Sequence, residues 1–167
     1  MIIYYDNKWN TNEWFVIGLL LIGLTLLVAL PKRFPLNWST VYTLYGVFTG
    51  LCLDHTLSVN PVDFYDVNDN SSYEFMDFLT YVMYGPFTYL FAYLHDTLKV
   101  KPPIDPLFVF GWSLLSVVVE WVAVQAGVFH YKNGYTIFYS FPIYLLMSSL
   151  YLLFLAKMNG FQRKLCK

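Results

Sequence analysis

Charge is scarce in this chain. Asp, Glu, Lys and Arg make up 13% of its 167 residues, against roughly 25% in an average soluble domain. The ten basic residues form no dense run, so no electrostatic footprint for nucleic acid is present. Cysteine is nearly absent. Cys52 and Cys166 fall at opposite ends of the expected layout, which excludes a disulfide framework. There is no His-x-x-x-His, His-Glu-x-x-His or Cys-x-x-Cys spacing, and so no recognised short metal motif. A Gly-rich phosphate loop, a nucleophile elbow and a dinucleotide fingerprint are missing too. No cofactor is therefore expected. Tandem repeats and low-complexity tracts are also lacking, and the chain reads as one domain over residues 1–167.

Apolar residues fill the space that charge leaves: 57% of the chain, with aromatics at 21%. They gather in five stretches, roughly residues 14–30, 36–53, 75–94, 106–126 and 135–156. A bilayer crossing takes about 20 mostly apolar residues at 1.5 Å rise each. The expected fold is therefore all-α, an integral membrane bundle of five transmembrane helices. Trp9, Trp14 and Trp38 sit near span ends, where aromatic rings favour the interface. The lipid bilayer is the first partner, and a homo-oligomer or another membrane protein is a further possible one.

Orientation follows from Lys and Arg. Lys32, Arg33, Lys99, Lys101, Lys157, Arg163, Lys164 and Lys167 fall on one side of a five-span layout, and Lys8 and Lys132 on the other. Positive residues near span ends mark the cytoplasmic face, which puts the N-terminus out and the C-terminus in. The basic inner rim suits anionic lipid headgroups. The stretch before Trp14 has Asp6 and Glu13 against Lys8, so an uncleaved first span is expected rather than a signal peptide. The outer loop, residues 54–74, carries Asp54, Asp63, Asp66, Asp69 and Glu74 with no Lys or Arg. It lacks the Gly and terminal Glu of a helix–loop–helix calcium site and reads as a solvated loop.

Polar residues recur at spacings of three and four, which places them on single helix faces. Span two has Ser39, Thr43, Gly46, Gly50 and Asp54. Span three has Asp77, Tyr81, Tyr84, Thr88 and His95. Span four has Ser113, Ser116, Glu120, Ala123 and Gly127. Span five has Ser140, Tyr144, Ser148 and Tyr151. Small and hydroxyl residues let membrane helices approach and hydrogen-bond. Spans two to five are thus expected to build the interior, with span one a peripheral anchor. Pro86 and Pro142 lie inside spans and are expected to kink them.

Glu120 lies deep in span four between Val117 and Val124. A carboxylate there costs about 2.5–3.5 kcal/mol on insertion scales, so it needs a partner, a proton or water. It reads either as a proton relay, cation site or catalytic carboxyl, or as a hydrogen-bonded fastener between helices. Its expected partners are Tyr81 or Tyr84 on span three and Ser140 or Tyr144 on span five. Asp54, His55, Asp77 and His130 can reach the same outer half of the bundle. Carboxylate and imidazole together suit a cation or acid–base chemistry. His95 and Asp96 read as a wet inner helix end.

Glu120-Trp121, Gly127, His130 to Tyr135 and Tyr139 to Tyr144 resemble the end of a family of small uncharacterised five-span membrane proteins of spore-forming bacteria, the bacilli and clostridia. The resemblance covers about the last 50 residues and implies a lineage, not a mechanism. Three functions remain. The chain is a bundle that binds or passes a small solute, proton or cation around Glu120, or a non-catalytic assembly subunit of a membrane complex. As a third reading it is a small lipid-acting enzyme. No nucleophile with an adjacent base is visible, which ranks the enzyme last.

Overall fold

In the computed structural model, residues 8–69 and 73–165 are described, with side chains up to Met158. Asp6, Cys166 and Lys167 lie outside the described residues, as do the side chains of Arg163 and Lys164. Among the described residues five helices and two short strands follow one another. They are α1 (Thr11–Ala29), α2 (Leu36–Leu57), β1 (Tyr65–Val67), α3 (Phe75–Thr97), α4 (Asp105–Gln125), β2 (Phe129–Tyr131) and α5 (Ile137–Leu165). Each expected span coincides with a helix.

Among the described residues three helical segments are long and apolar enough to cross a membrane: Thr11–Ala29, Asp105–Gln125 and Ile137–Met158. Helices α2 and α3 are long enough but less apolar, because Tyr, Thr, Ser and Gly occupy their inner faces. Helix α3 is the hub. Tyr81, Phe91 and Thr80 are almost wholly buried in it, and α1 and α2 both pack along it. On its other side Phe91 meets Phe108, Trp112 and Tyr151 edge-on or tilted. The core is aromatic and aliphatic, joining Tyr42, Phe91, Val109, Tyr151 and Leu155 from four helices.

Close approach explains the glycines of α2. A Cβ on Gly46 would lie 2.6 Å from the Tyr84 carbonyl oxygen, and one on Gly50 would lie 2.5 Å from the Tyr84 ring. The small residues thus let two backbones touch. Helix α3 runs on through Pro86, and the Thr88 hydroxyl donates to the Gly85 carbonyl at 2.8 Å. Hydroxyl donors of this kind re-satisfy carbonyls near a proline.

Helix α1 departs from the expected peripheral anchor. It packs along α3 rather than along α2, with Gly23 seated on Pro86 and Val16 fully buried. Helix α4 leaves more residues exposed than α1 does. The cause is at the first turn of α1. Asn10 and Glu13 form a capping box, and Asn12 Nδ2 donates to Asp69 at 2.5 Å, which ties the helix start to the loop after α2.

That loop is the second departure. It is folded, not solvated: Asp66, Asn68 and Asp69 are all buried. Its strand β1 pairs antiparallel with β2, Tyr65 opposite Tyr131, Asp66 opposite His130 and Val67 opposite Phe129. The Phe64 carbonyl accepts from Lys132 N, and the Val128 carbonyl from Asn68 N, which extends the ladder at both ends. Gly127, at φ +83°, supplies the left-handed turn from α4 into β2. The strands form a cap over one end of the bundle. At the other end Arg33 pairs with Asp96 and His95 with Asp105 at 3.0 Å. Loops one and three, with Lys32, Arg33, Lys99 and Lys101, therefore share that end.

Candidate functional site

A cavity of about 190 Å³ lies between α2, α3, α4 and α5 beneath the cap. Its wall is built from the expected polar faces. Gly46, Gly50 and Asp54 come from α2, and Tyr81, Tyr84 and Thr88 from α3. Ser116 and Glu120 come from α4, and Ser140, Tyr144, Ser148 and Tyr151 from α5. The cap adds Tyr65, Val67 and Phe129. Helix α1 contributes nothing to it.

Glu120 is 7% exposed and is held by hydroxyl donors. Tyr131 O–H donates to Oε1 at 2.5 Å and Ser140 O–H donates to the same atom at 2.6 Å. The Tyr135 hydroxyl shares a further bond with Ser140 Oγ at 2.9 Å, and Tyr144 adds a hydroxyl interaction with the carboxylate. Ser140 and Tyr144 were the expected partners on α5. Tyr81 was expected too, but it is engaged elsewhere.

Asp54 is the second carboxylate on the wall. The Tyr81 hydroxyl donates to its Oδ2, and Ser58 donates to Oδ1 at 2.9 Å. Glu120 and Asp54 thus stand on different helices, each served by neutral hydroxyls. Among the described residues the chamber wall carries no Lys, Arg or His.

The remaining residues singled out in the sequence do not meet in the chamber. Asp77 caps α3 by accepting from Glu74 N at 2.7 Å, and its other oxygen accepts from Asn68 Nδ2 at 2.7 Å. A first-turn carboxylate next to a folded loop is taken up by capping. His130 is half-buried in β2 opposite Asp66, which points it away from the wall. His55 is exposed, its Nδ1 bonded to the Leu51 carbonyl at 3.0 Å. An imidazole at a helix end satisfies itself on the preceding turn, so adjacency in sequence to Asp54 did not bring it inside.

Tyr131 is the residue that sequence reasoning missed. It lies outside the spans, and nothing local links it to Glu120. Its reach depends on the β1–β2 pairing, which folds the chain back over α4. Burial pushes its phenol above the ordinary tyrosine range, and hydrogen bonding and charge from Glu120 add to the rise. Tyr65 is raised as well, first by burial and then by neighbours that include Tyr84 and Asp54. Both hydroxyls therefore stay protonated and available as donors.

The cap is tied down by charge. Lys132 Nζ lies 2.6 Å from Asp66 and 3.3 Å from Asp63, and Asp66 is only 4% exposed. Among the described residues no three His, Cys, Asp or Glu side chains group closely enough to hold a metal ion. The arrangement can accept a positive or hydrogen-bond-donating guest between two carboxylates. It lacks an imidazole or thiol on the wall for nucleophilic chemistry. No protein-family profile, curated protein or solved structure matches the chain.

Proposed function

We propose that this chain is a multi-pass protein of the cell membrane, five helices crossing the bilayer with the N-terminus out and the C-terminus in. Its chamber binds or passes a small solute, proton or cation at Glu120. The observation that carries the reading is an enclosed carboxylate on the wall of a 190 Å³ cavity inside a bundle with an apolar exterior. An intramembrane ionisable group facing a cavity marks a solute or ion path by default.

Several features support the crossing of α2 and α3. Val41, Leu44, Phe48 and Leu51 form an exposed apolar stripe on α2, suited to lipid although the helix as a whole is less apolar. Helix α3 is surrounded by protein, so its side chains need not match lipid. Val28, Leu107, Phe138 and Leu153 are each at least two-thirds exposed, and large exposed apolar surface of this kind suits lipid or a partner. The cap end bears Lys132 among acidic groups, and the opposite end bears Lys32, Arg33, Lys99 and Lys101. That asymmetry sets the orientation. The resemblance to five-span proteins of bacilli and clostridia agrees with the same layout.

Access is the test. In a background with Cys52 and Cys166 replaced by serine, Ser116→Cys on the wall should react with a small water-soluble thiol reagent in intact membranes. Leu115→Cys and Val118→Cys, both exposed on the outer face of α4, should react severalfold more slowly. Equal rates at all three positions would remove the chamber reading. A reporter fused after Lys167 should be active only in its cytoplasmic form, and activity on the outer face would reverse the orientation.

A further inference from the structure

The chamber wall has a composition that narrows its guest. Seven tyrosines, three phenylalanines and one tryptophan line it, together with Glu120 and Asp54. Among the described residues it offers no basic side chain and no side-chain amide; its polar side-chain groups are the two carboxylates, hydroxyls and the Trp112 indole N–H. We propose that the chamber takes a small organic cation of the alkylammonium class, held between the two carboxylates and against the aromatic faces. The inference rests on the chamber reading and adds the chemical class of the guest.

Three alternatives fit the wall less well. An anion would meet two carboxylates with no cation to offset them. A hard divalent metal takes six to eight oxygen ligands, or an octahedral shell, whereas Glu120 and Asp54 stand on separate helices and no metal-sized group of ligands forms. A neutral polyol can donate to the carboxylates, but it brings no positive charge to set against two acidic groups and the faces of the rings. A soft, weakly hydrated ammonium gives up little water and is drawn to ring faces. Recognition of quaternary ammonium by aromatic cages uses this attraction. Size agrees: an apolar cavity of about 150 Å³ holds a benzene molecule, so 190 Å³ admits a guest of a few heavy atoms and not a peptide.

The two carboxylates have prepared positions. Glu120 is fixed by Tyr131 and Ser140, and Asp54 by Tyr81 and Ser58. Their donors are neutral hydroxyls, and among the described residues no basic side chain stands on the wall beside either of them. A guest cation supplies the missing counter-charge.

The same ammonium chemistry is carried by a free alkylammonium and by a phosphatidylcholine headgroup, and a volume of about 190 Å³, room for a guest of a few heavy atoms, favours the free ion. The full chain in nanodiscs of anionic and neutral lipid without choline headgroups is titrated by calorimetry with five probes. They are tetramethylammonium, choline, dimethylbutanol (the uncharged carbon isostere of choline), potassium chloride and soluble short-chain phosphatidylcholine. Tetramethylammonium and choline should bind, and the isostere and potassium should not. Glu120→Gln and Asp54→Asn should each weaken choline about tenfold, with folding followed by circular dichroism. The choline and isostere pair on the unaltered chain decides the matter even if a variant fails to fold. Equal binding of the isostere, or binding of potassium alone, overturns the cation assignment. Binding of the short-chain lipid without the free ions overturns the free-solute assignment. If nothing binds while Ser116→Cys is labelled, the ammonium inference falls and the chamber stands. If nothing binds and Ser116→Cys is unreactive, both fall.

Discussion

The two ends of this bundle are held by different physics. At the capped end, strands β1 and β2 pair across the bundle. Buried Asp66 is neutralised by Lys132, and Asn12, Asn68, Asp69 and Asp77 join α1, the loop and α3 through buried hydrogen bonds. At the other end the pair Arg33–Asp96 has both side chains about two-fifths or more exposed, and His95–Asp105 is about one-fifth exposed. Buried pairs are costly to break because the survivor is left uncompensated, whereas exposed pairs contribute little. The chamber adjoins the first kind of end. Its lining reaches Tyr65, Val67 and Phe129 of the cap, so the stiff end and the candidate site are one structure.

The contrast is open to direct attack. Lys132→Met should have the largest effect, because it leaves Asp66 buried without its cation. The expected loss is about 3 kcal/mol in detergent unfolding titrations. A change within the noise of the titration would mean the cap is not held by charge. Gly46→Leu, between the two ends, should cost about 2 kcal/mol by overpacking, since even a Cβ meets the Tyr84 carbonyl. Gly111→Leu serves as its control, because no atom stands within 4 Å of a Cβ there. Arg33→Gln at the open end should cost less than about 1 kcal/mol in the same titration. A loss matching that of Lys132→Met would erase the distinction between the ends.

Alkaline pH should weaken the capped end through its two buried phenols. Burial raises Tyr65 and Tyr131 above the ordinary value of 10.0 in the folded chain. The folded state then holds protons that the unfolded state releases. The stabilisation is complete below pH 10.0 and is lost as pH rises through the folded values. The melting temperature should fall above pH 10.0, and the fall should be shallower in Tyr65→Phe and Tyr131→Phe. An equal slope in those variants would separate the two phenols from the cap's stability.

Much of the interior was legible from periodicity alone. Spacings of three and four put Gly46, Gly50, Tyr84, Glu120, Ser140 and Tyr144 on inner faces, and all of them meet at the chamber or its α2–α3 wall. Helix faces are a local property, so a single sequence carries them. The role of α1 was not legible, because its polar start at Asn10 to Glu13 acts through Asp69, far along the chain. The fate of the acidic loop was hidden for the same reason. Its burial depends on Lys132, more than sixty residues away, and on a three-residue strand pairing too short to leave an alternating pattern. His55 lies outside the chamber because proximity in sequence to Asp54 does not fix where a side chain points at a helix end, and the place of His130 was set by a strand pairing with Asp66.

The central claim is that the cap reaches down to Glu120, and a double-mutant cycle on Tyr131 and Glu120 measures it. Tyr131→Phe, Glu120→Leu and the double variant are unfolded reversibly in detergent, and the interaction energy is taken from the difference. A hydroxyl donating to a charged oxygen at 2.5 Å should give a coupling of about 1.5–3 kcal/mol. Strictly additive losses, with no coupling, would mean that the cap and the buried carboxylate do not touch.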